Sequence, residues 1–394
     1  MKRNADKFFP HISGKSGKNK GMPLIYHIIT DKNIGGAGLF LLHLLEHTDK
    51  KAFPSLVLLP QDSALIPLFC RSSIPFFPLH EAKEASFSFS DFCALSSFLH
   101  RHPCELLHAH SSLSAKLAAR LSLSVPIVAT RHCDTPFPAF PFSRLLYRFS
   151  TDITVCPSEN GVSRLRQAGI PEESLFFIPN GFCPQTPPTP QEKKQARERL
   201  SIPENALAVG LCGRLSPIKG QRTLLLAAKR VLAKDKRFLF LLLGDGEERE
   251  ELLALAEALG ILPFVCFLGF AEDTRPFYQA LDIHLSASLG DETASLSLAE
   301  GMSAGLPTVA SDCPGNIERV KEGGVFFPRG DDAALAERLL LFRNDEKRSL
   351  FSQKARERAA HLPTFKDTAS AYAALYQGLL TKDISSFRKP HLRF

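Results

Sequence analysis

Residues 206–246 read ALAVGLCGRLSPIKGQRTLLLAAKRVLAKDKRFLFLLLGDG. ALAVGLC is an apolar run of strand length that stops at a glycine. From Pro217 to Lys234, Leu, Ala and Val recur at helical spacing with Lys and Arg between them, which predicts an amphipathic helix. FLFLLLGDG is a second apolar run that again stops at a glycine. A strand, a helix and a strand in so short a span form a βαβ unit, which requires parallel pairing. Both strands are apolar throughout instead of alternating, as expected where helices cover both faces of a sheet. The expected fold class is therefore α/β.

The same alternation continues on both sides. Toward the C-terminus come a helix around Glu247–Leu259, the strands FVCFLGF (264–270) and DIHLSAS (282–288), a helix around Ser297–Ala304, and the strand PTVASD (307–312). Toward the N-terminus, residues 184–190, PQTPPTP, hold four prolines and predict a stiff extended linker. Before it lie the strands PLIYHIIT (23–30), FPSLVLLP (53–60), ELLHAH (105–110), PIVAT (126–130) and DITVCP (152–157). Helical stretches stand among them at AGLFLLHLLEH, SLSAKLAARL and SENGVSRLRQAG. Two doubly wound, Rossmann-like domains with a cleft between them are the expectation. The first spans 23–183, a linker spans 184–192, and the second spans 193–362.

Composition narrows the function classes. The chain has 394 residues, 44% hydrophobic and 23% charged, as for a globular protein large enough for two cores. It contains no charge-free apolar run long enough to span a bilayer, and residues 1–22 lack the apolar stretch of a secretory signal. Nine cysteines scattered singly argue against zinc and disulfides and for a reducing, cytoplasmic compartment, with the inner membrane face as a further expected location. The net charge of +7 belongs to the ends. Residues 1–22 carry six Lys/Arg against one Asp, and residues 381–394 four against one, so the body is close to neutral. That is not the basic face of a nucleic-acid binder, so no nucleic-acid partner is expected. Basic tails suit either plain solubilising extensions or peripheral contact with anionic lipid.

Ligands of doubly wound sheets bind beyond the C-terminal ends of the strands, so the loops there carry the argument. After the first strand, TDKNIGGAG places Gly35 and Gly36 before a helix, where backbone can approach a phosphate; a plain tight turn is the alternative. In GRLSPIKG (213–220), Arg214 and Lys219 put two cations at a strand end, which suits a pyrophosphate leaving group; solvated loop cations are the alternative. LGDETASLSLAEGMSAGLPTVASD (289–312) holds Glu292 and Glu300 on either side of a helix start. Ser297 and Glu300 stand at capping-box spacing, which would put Glu300 in the first turn. A carboxylate there could take two hydrogen bonds from vicinal hydroxyls, and Glu292 could hold hydroxyls of a sugar. A cap and a surface charge are the bland readings of the pair. No clustered Asp/His set or Asp-x-Asp is visible in the sequence, so no metal is expected.

These three motifs, in this order and spacing, resemble the retaining nucleotide-sugar glycosyltransferases of family 4, which have the GT-B fold. The Glu292-to-Glu300 spacing matches that family's Glu-x7-Glu signature, and GRLSPIKG is similar to its phosphate-binding motif. The resemblance covers roughly 23–380 and is strongest from 207 to 330. It implies that Arg214 and Lys219 bind the diphosphate, Glu300 the ribose and Glu292 the donor sugar, with Gly35 and Gly36 at the phosphates. His132, in IVATRHCD, matches a histidine that faces the transferred sugar, and His110, in LLHAHSS, could face the cleft too. A helix over 363–380 is expected to return to the first domain, as in family members, ahead of a basic tail at 381–394.

The chain departs from the family at two places. Thr293, Ala294 and Ser295 stand beside the donor sugar where the family has Gly-aromatic-Gly, and NGFC (180–183) lacks the family's aspartate. The implied reaction is transfer of a sugar from a nucleotide-diphosphate donor, with retention and without metal or cofactor, to a glycan or lipid-linked acceptor. The competing readings are a nucleotide-sugar epimerase, a dinucleotide-dependent oxidoreductase, which both glycine loops fit badly, and a non-catalytic binding module. For TPFPAFPFSRLLYRF (135–149), a buried helix and an amphipathic surface against a lipid-linked acceptor both remain open.

Overall fold

Two all-parallel sheets take up the alternation. The structure, a computed structural model, describes residues 23–383 except 31, 33, 80–88, 111–112, 133–141, 291 and 293–294. The chain divides into two units. The first joins the chain as far as Asn180 to the segment from Phe365, and the second is Gly181–Thr364.

In the first unit, strands β1 (Ile25–Ile28), β2 (Ser55–Pro60), β3 (Phe76–Leu79), β4 (Leu106–Ala109), β5 (Ile127–Thr130), β6 (Ile153–Cys156) and β7 (Leu175–Phe177) form a sheet in the order β3-β2-β1-β4-β5-β6-β7. In the second, β8 (Leu207–Cys212), β9 (Phe238–Leu243), β10 (Val265–Gly269), β11 (Ile283–Ser286), β12 (Thr308–Ser311) and β13 (Gly324–Phe327) are ordered β10-β9-β8-β11-β12-β13. Each order reverses once, between β1 and β4 and between β8 and β11, and such a switch point is where doubly wound sheets bind ligands. The apolar strands are buried on both faces. Val209, Leu211, Phe240 and Leu242 join one core cluster of the second unit, while Ala208, Leu241 and Leu243 join the other.

Several boundaries differ from the sequence expectation. The prolines of 184–190 do not form a separate linker. Phe182 is buried in the second unit's core and bridges to Thr364, Gln185 donates its backbone N–H to Ser303 Oγ at 2.9 Å, and Pro190 opens a helix, Pro190–Arg199. Thr189 and Glu192 close a capping box there, and proline is well tolerated in a first turn. The first division falls after Asn180, ahead of the expected 183. The helix expected over Pro217–Lys234 is two elements: a 3₁₀ turn, Pro217–Lys219, and a helix, Gln221–Leu232, parted by Gly220 at φ +70°. The last helix, Phe365–Thr381, belongs to the first unit and packs on the helix Gly36–His47 there. Residues 1–22 and 384–394, most of the two basic tails, lie outside the described residues.

Candidate active site

The second unit's switch point is built from the loops after β8 and β11. Gly220 is what lets them meet. A Cβ there would stand 1.9 Å from the carbonyl oxygen of Ala287, just past β11, and its φ of +70° favours glycine as well. Leu289 donates its backbone N–H to the Ile218 carbonyl at 2.8 Å, locking the loops together. Gln221 Nε2 donates to the Arg214 carbonyl at 2.8 Å.

The two cations are held differently. Lys219 Nζ is ion-paired with Glu292 Oε1, which also accepts from Ser288 Oγ at 2.7 Å. Burial works to raise the Glu292 carboxyl, but the Lys219 charge and the hydrogen bonds from Lys219 and Ser288 outweigh it, leaving its pKa below the ordinary value. Ser288 is itself fixed, because its carbonyl accepts from Ser311 Oγ at 2.7 Å and Cys313 Sγ at 3.0 Å. Arg214 is more exposed and meets Glu247 at 3.4 Å. The structure thus joins Lys219 to Glu292 across the ends of β8 and β11, while Arg214, on the same loop as Lys219, is paired with Glu247.

Glu300 is placed otherwise than expected. The helix Leu296–Ser303 starts one residue earlier than Ser297, with Ser295 as its N-cap, accepting from Leu298 N at 3.4 Å. Glu300 therefore lies in the second turn and closes no capping box. Its Oε2 accepts from Tyr278 OH at 2.9 Å. Burial pushes its pKa up to about 7 against the partial relief of the Tyr278 hydrogen bond and the charge of Arg319. Ser295, expected beside the donor sugar, spends its hydroxyl on the cap, and Arg319 Nε donates to its carbonyl at 3.3 Å. Thr293 and Ala294, the other two positions of that substitution, lie outside the described residues. Tyr278, Ser288 and Arg319 carried no signal in the sequence, since lone polar residues in or after elements are common.

In the first unit, Gly35 is the extended N-cap of the helix Gly36–His47, and the place of a Cβ on Gly36 has no atom within 4 Å. His132 and His110 come together, at 3.1 Å between Nε2 and Nδ1. His110 is buried, with both ring nitrogens engaged by imidazoles. Two histidines missed in the sequence complete the group. His27 on β1 and His108 on β4 are register partners, so they share a sheet face. The H-x-H of residues 108–110 was the available signal, because alternate strand positions face the same way. His108 bonds Tyr376 OH through Nδ1 and Thr130 Oγ1 through Nε2, each at 2.7 Å, and Thr130 Oγ1 meets Tyr372 OH at 2.8 Å. Tyr372 and Tyr376, four apart on the last helix, therefore anchor it to this face. The sequence showed no clustered histidines, whereas the fold brings ring nitrogens of His27, His108 and His110 within 4.8 Å of one another. Among the described residues no helix is long and apolar enough to cross a membrane.

Comparison with known proteins matches both units to glycosyltransferase families. The family described as "Glycosyl transferases group 1" matches residues 192–358, and "Glycosyltransferase Family 4" matches residues 34–186. The lipopolysaccharide core biosynthesis glycosyltransferase LpsE of Rhizobium meliloti is 32% identical over 196 residues, covering 49% of this chain and 54% of that protein. The D-inositol 3-phosphate glycosyltransferase of Corynebacterium urealyticum is 33% identical over 208 residues, covering 50% and 49%. The chain thus spans about half the length of these curated relatives. The crystal structure of Anabaena Alr3699/HepE in complex with UDP and glucose superposes with a TM-score of 0.76 at 22% identity, over 91% of this chain and 100% of that one. That likeness establishes the GT-B fold.

Proposed function

Since the chain belongs to the group 1 glycosyl transferases and carries a family 4 domain ahead of that region, we propose that it moves a glycosyl group from a nucleoside-diphosphate sugar to an acceptor hydroxyl. The observation that carries this reading is the cluster at the second unit's switch point, Arg214 and Lys219 after β8 with Glu292 after β11. The Arg214 and Lys219 cations neutralise the diphosphate as it leaves, where a metal would otherwise be needed. Glu300, eight residues beyond Glu292, takes the ribose hydroxyls. Glu292, released from Lys219 by the diphosphate, takes hydroxyls of the donor sugar. Gly35, Gly36 and His132 keep the donor roles that the family resemblance gives them.

The bond that breaks joins the anomeric carbon to the diphosphate oxygen. The bond that forms joins that carbon to the acceptor oxygen, whose proton passes to the departing diphosphate. Attack on the face the diphosphate leaves gives retention and needs no protein nucleophile. The protein's part is positioning and charge stabilisation. The acceptor is a glycan or a lipid-linked glycan read by the first unit at the cytoplasmic membrane face. The short helix Ser143–Ser150 supports the membrane contact. Phe142, Leu145 and Phe149 are 65%, 67% and 48% exposed at i, i+3, i+7 spacing, with exposed Arg144 and Arg148 between them. Leu121, 62% exposed, lies next to Arg120, which bonds the Phe149 carbonyl.

The test is release of nucleoside diphosphate from a panel of nucleotide-sugars, with and without lipid-linked glycan acceptors. Release that needs both substrates supports transfer. Interconversion of the sugar without acceptor would make the protein an epimerase. Binding without turnover on every acceptor would leave a binding module.

A further inference from the structure

His27, His110 and His132 stand in one row. His27 Nδ1 is 3.2 Å from His110 Nε2, and His110 Nδ1 is 3.1 Å from His132 Nε2, with successive rings inclined by only 22° and 20°. A nitrogen-to-nitrogen contact is a hydrogen bond only if one partner carries a proton and the other does not. Burial pushes His27 down to about 3 and His132 to about 4; burial and the neighbouring histidines hold His110 well below its ordinary value. At neutral pH each ring is therefore uncharged and has one N–H.

Three N–H groups and two internal bonds allow two arrangements. In the first, His132 donates to His110 and His110 to His27, which leaves the N–H of His27 on Nε2. In the second, His27 donates to His110 and His110 to His132, which puts the proton of His132 on Nδ1 and leaves a bare lone pair at His27 Nε2. His27 is fully buried and its Nε2 has no hydrogen-bond partner. A buried N–H without an acceptor is the rarer orphan in folded proteins, so the second arrangement is selected.

We propose that His27 and His110 are positioning residues that fix His132 in the tautomer with its proton on Nδ1. The proposal rests on the transferase reading for its use: whatever meets His132 at Nδ1 must be an acceptor, such as a hydroxyl oxygen of the transferred sugar. The other tautomer would offer a lone pair there.

A cation at His27, His108 and His110 is the competing explanation of the cluster. It fails on available lone pairs. Both nitrogens of His108 are bonded to hydroxyls and both of His110 to imidazoles, which leaves only His27 Nε2. Among the described residues no carboxylate belongs to the group either, so a dication would be buried among neutral rings at high cost.

Long-range ¹H–¹⁵N spectra of the full-length, ¹⁵N-labelled protein without donor report which nitrogen of each imidazole carries the proton, with His132→Gln to assign the signal. At neutral pH the wild type should show His132 protonated on Nδ1. His110→Leu should release it to Nε2 or to an exchanging mixture and lower kcat about tenfold, the worth of one hydrogen bond. His110→Asn, whose amide can donate from near the place of Nδ1, should keep the Nδ1 proton and recover part of kcat. Protonation on Nε2 in the wild type, or a tautomer that His110→Leu does not move, overturns the proposal. So does stoichiometric Zn²⁺ binding that displaces the His27 and His110 N–H signals. Because no donor is present, the spectra decide the tautomer whether or not the chain transfers a sugar. Absence of any turnover with the expected tautomer would refute only the transferase reading.

Discussion

Lys219 Nζ rests on Glu292 Oε1, so the loops after β8 and β11 neutralise each other's inner charge. In the proposed transfer a diphosphate takes that ammonium over, which frees the carboxylate for a sugar. Removing one partner leaves the other partly buried and unpaired, a loss that is larger than the net worth of the pair. Lys219→Ala should therefore lower Tm more than the double variant Lys219→Ala with Glu292→Gln does. It should also cost about 10²–10³ in kcat/KM. Thermal melts of the two variants decide the first point, and equal Tm values would show that the pair carries no stability.

Arg214 should separate activity from stability in the opposite way. Its contact with Glu247 is long, at 3.4 Å, and both side chains are about half exposed. Such pairs contribute ~0–1 kcal/mol. Arg214→Ala should leave Tm unchanged and remove about 2–4 kcal/mol of transition-state stabilisation. Full activity in that variant, or wild-type activity abolished by EDTA, would reject its assignment to the diphosphate.

The fold was legible because long apolar strands and glycine-ended loops are local signals: β8, β9 and the loop holding Arg214 and Lys219 follow from residues 206–246 alone. Glu292 was legible as part of a spaced pair. Its partnership with Lys219 was not, because it depends on Gly220 packing against Ala287, a contact between the ends of two separate strands. The helix start was misplaced because Ser295 and Ser297 both suit a cap, and the loop ahead of the helix decides between them. His27 was hidden for a similar reason: one histidine in an apolar strand gives no sign of the strand beside it.

Glu300 should make nucleotide binding depend on pH. Hydroxyl donors need its carboxylate ionised, and burial raises its pKa to about 7. The ionised fraction then rises about tenfold between pH 6 and pH 8, with a matching rise in affinity. Folding runs the other way, since a raised carboxyl pKa favours the native state at low pH and that advantage is lost as pH rises from about 4.5 to about 7. Calorimetry with nucleoside diphosphate should show a flatter profile in Glu300→Gln. It should show a profile moved to higher pH in Tyr278→Phe, which lacks the hydrogen bond that lowers the pKa. Parallel profiles in Glu300→Gln and wild type would assign the dependence to the phosphates.

His284 offers a stabilising substitution. It is fully buried on β11, neither ring nitrogen has a hydrogen-bond partner, and burial pushes its pKa down to about 3. A depressed imidazole pKa means that the unfolded chain binds the extra proton, so the native state loses stability as pH falls below about 6.5. Replacing an unsatisfied buried polar group by an apolar one of similar shape is neutral or favourable. His284→Leu should keep or raise Tm at pH 7 and lose less of it at pH 5. A large loss of Tm at pH 7 would mean that the imidazole packs in a way leucine cannot match.

The exposed face of Ser143–Ser150 separates a membrane site from basic tails that merely attract lipid. Inserting two apolar side chains contributes about 1.5–3 kcal/mol each when fully buried, and each Arg near an anionic surface about 1 kcal/mol. The charge part fades with salt and the apolar part does not. The full-length protein should therefore sediment with phosphatidylglycerol vesicles at low salt and keep part of that binding at high salt. Leu145→Ser with Phe149→Ser should lose the salt-resistant part and keep the part due to the tails. Deleting residues 1–22 should do the reverse. If the double serine variant sediments like the wild type at high salt, this helix is not the contact, and the acceptor must be reached without it.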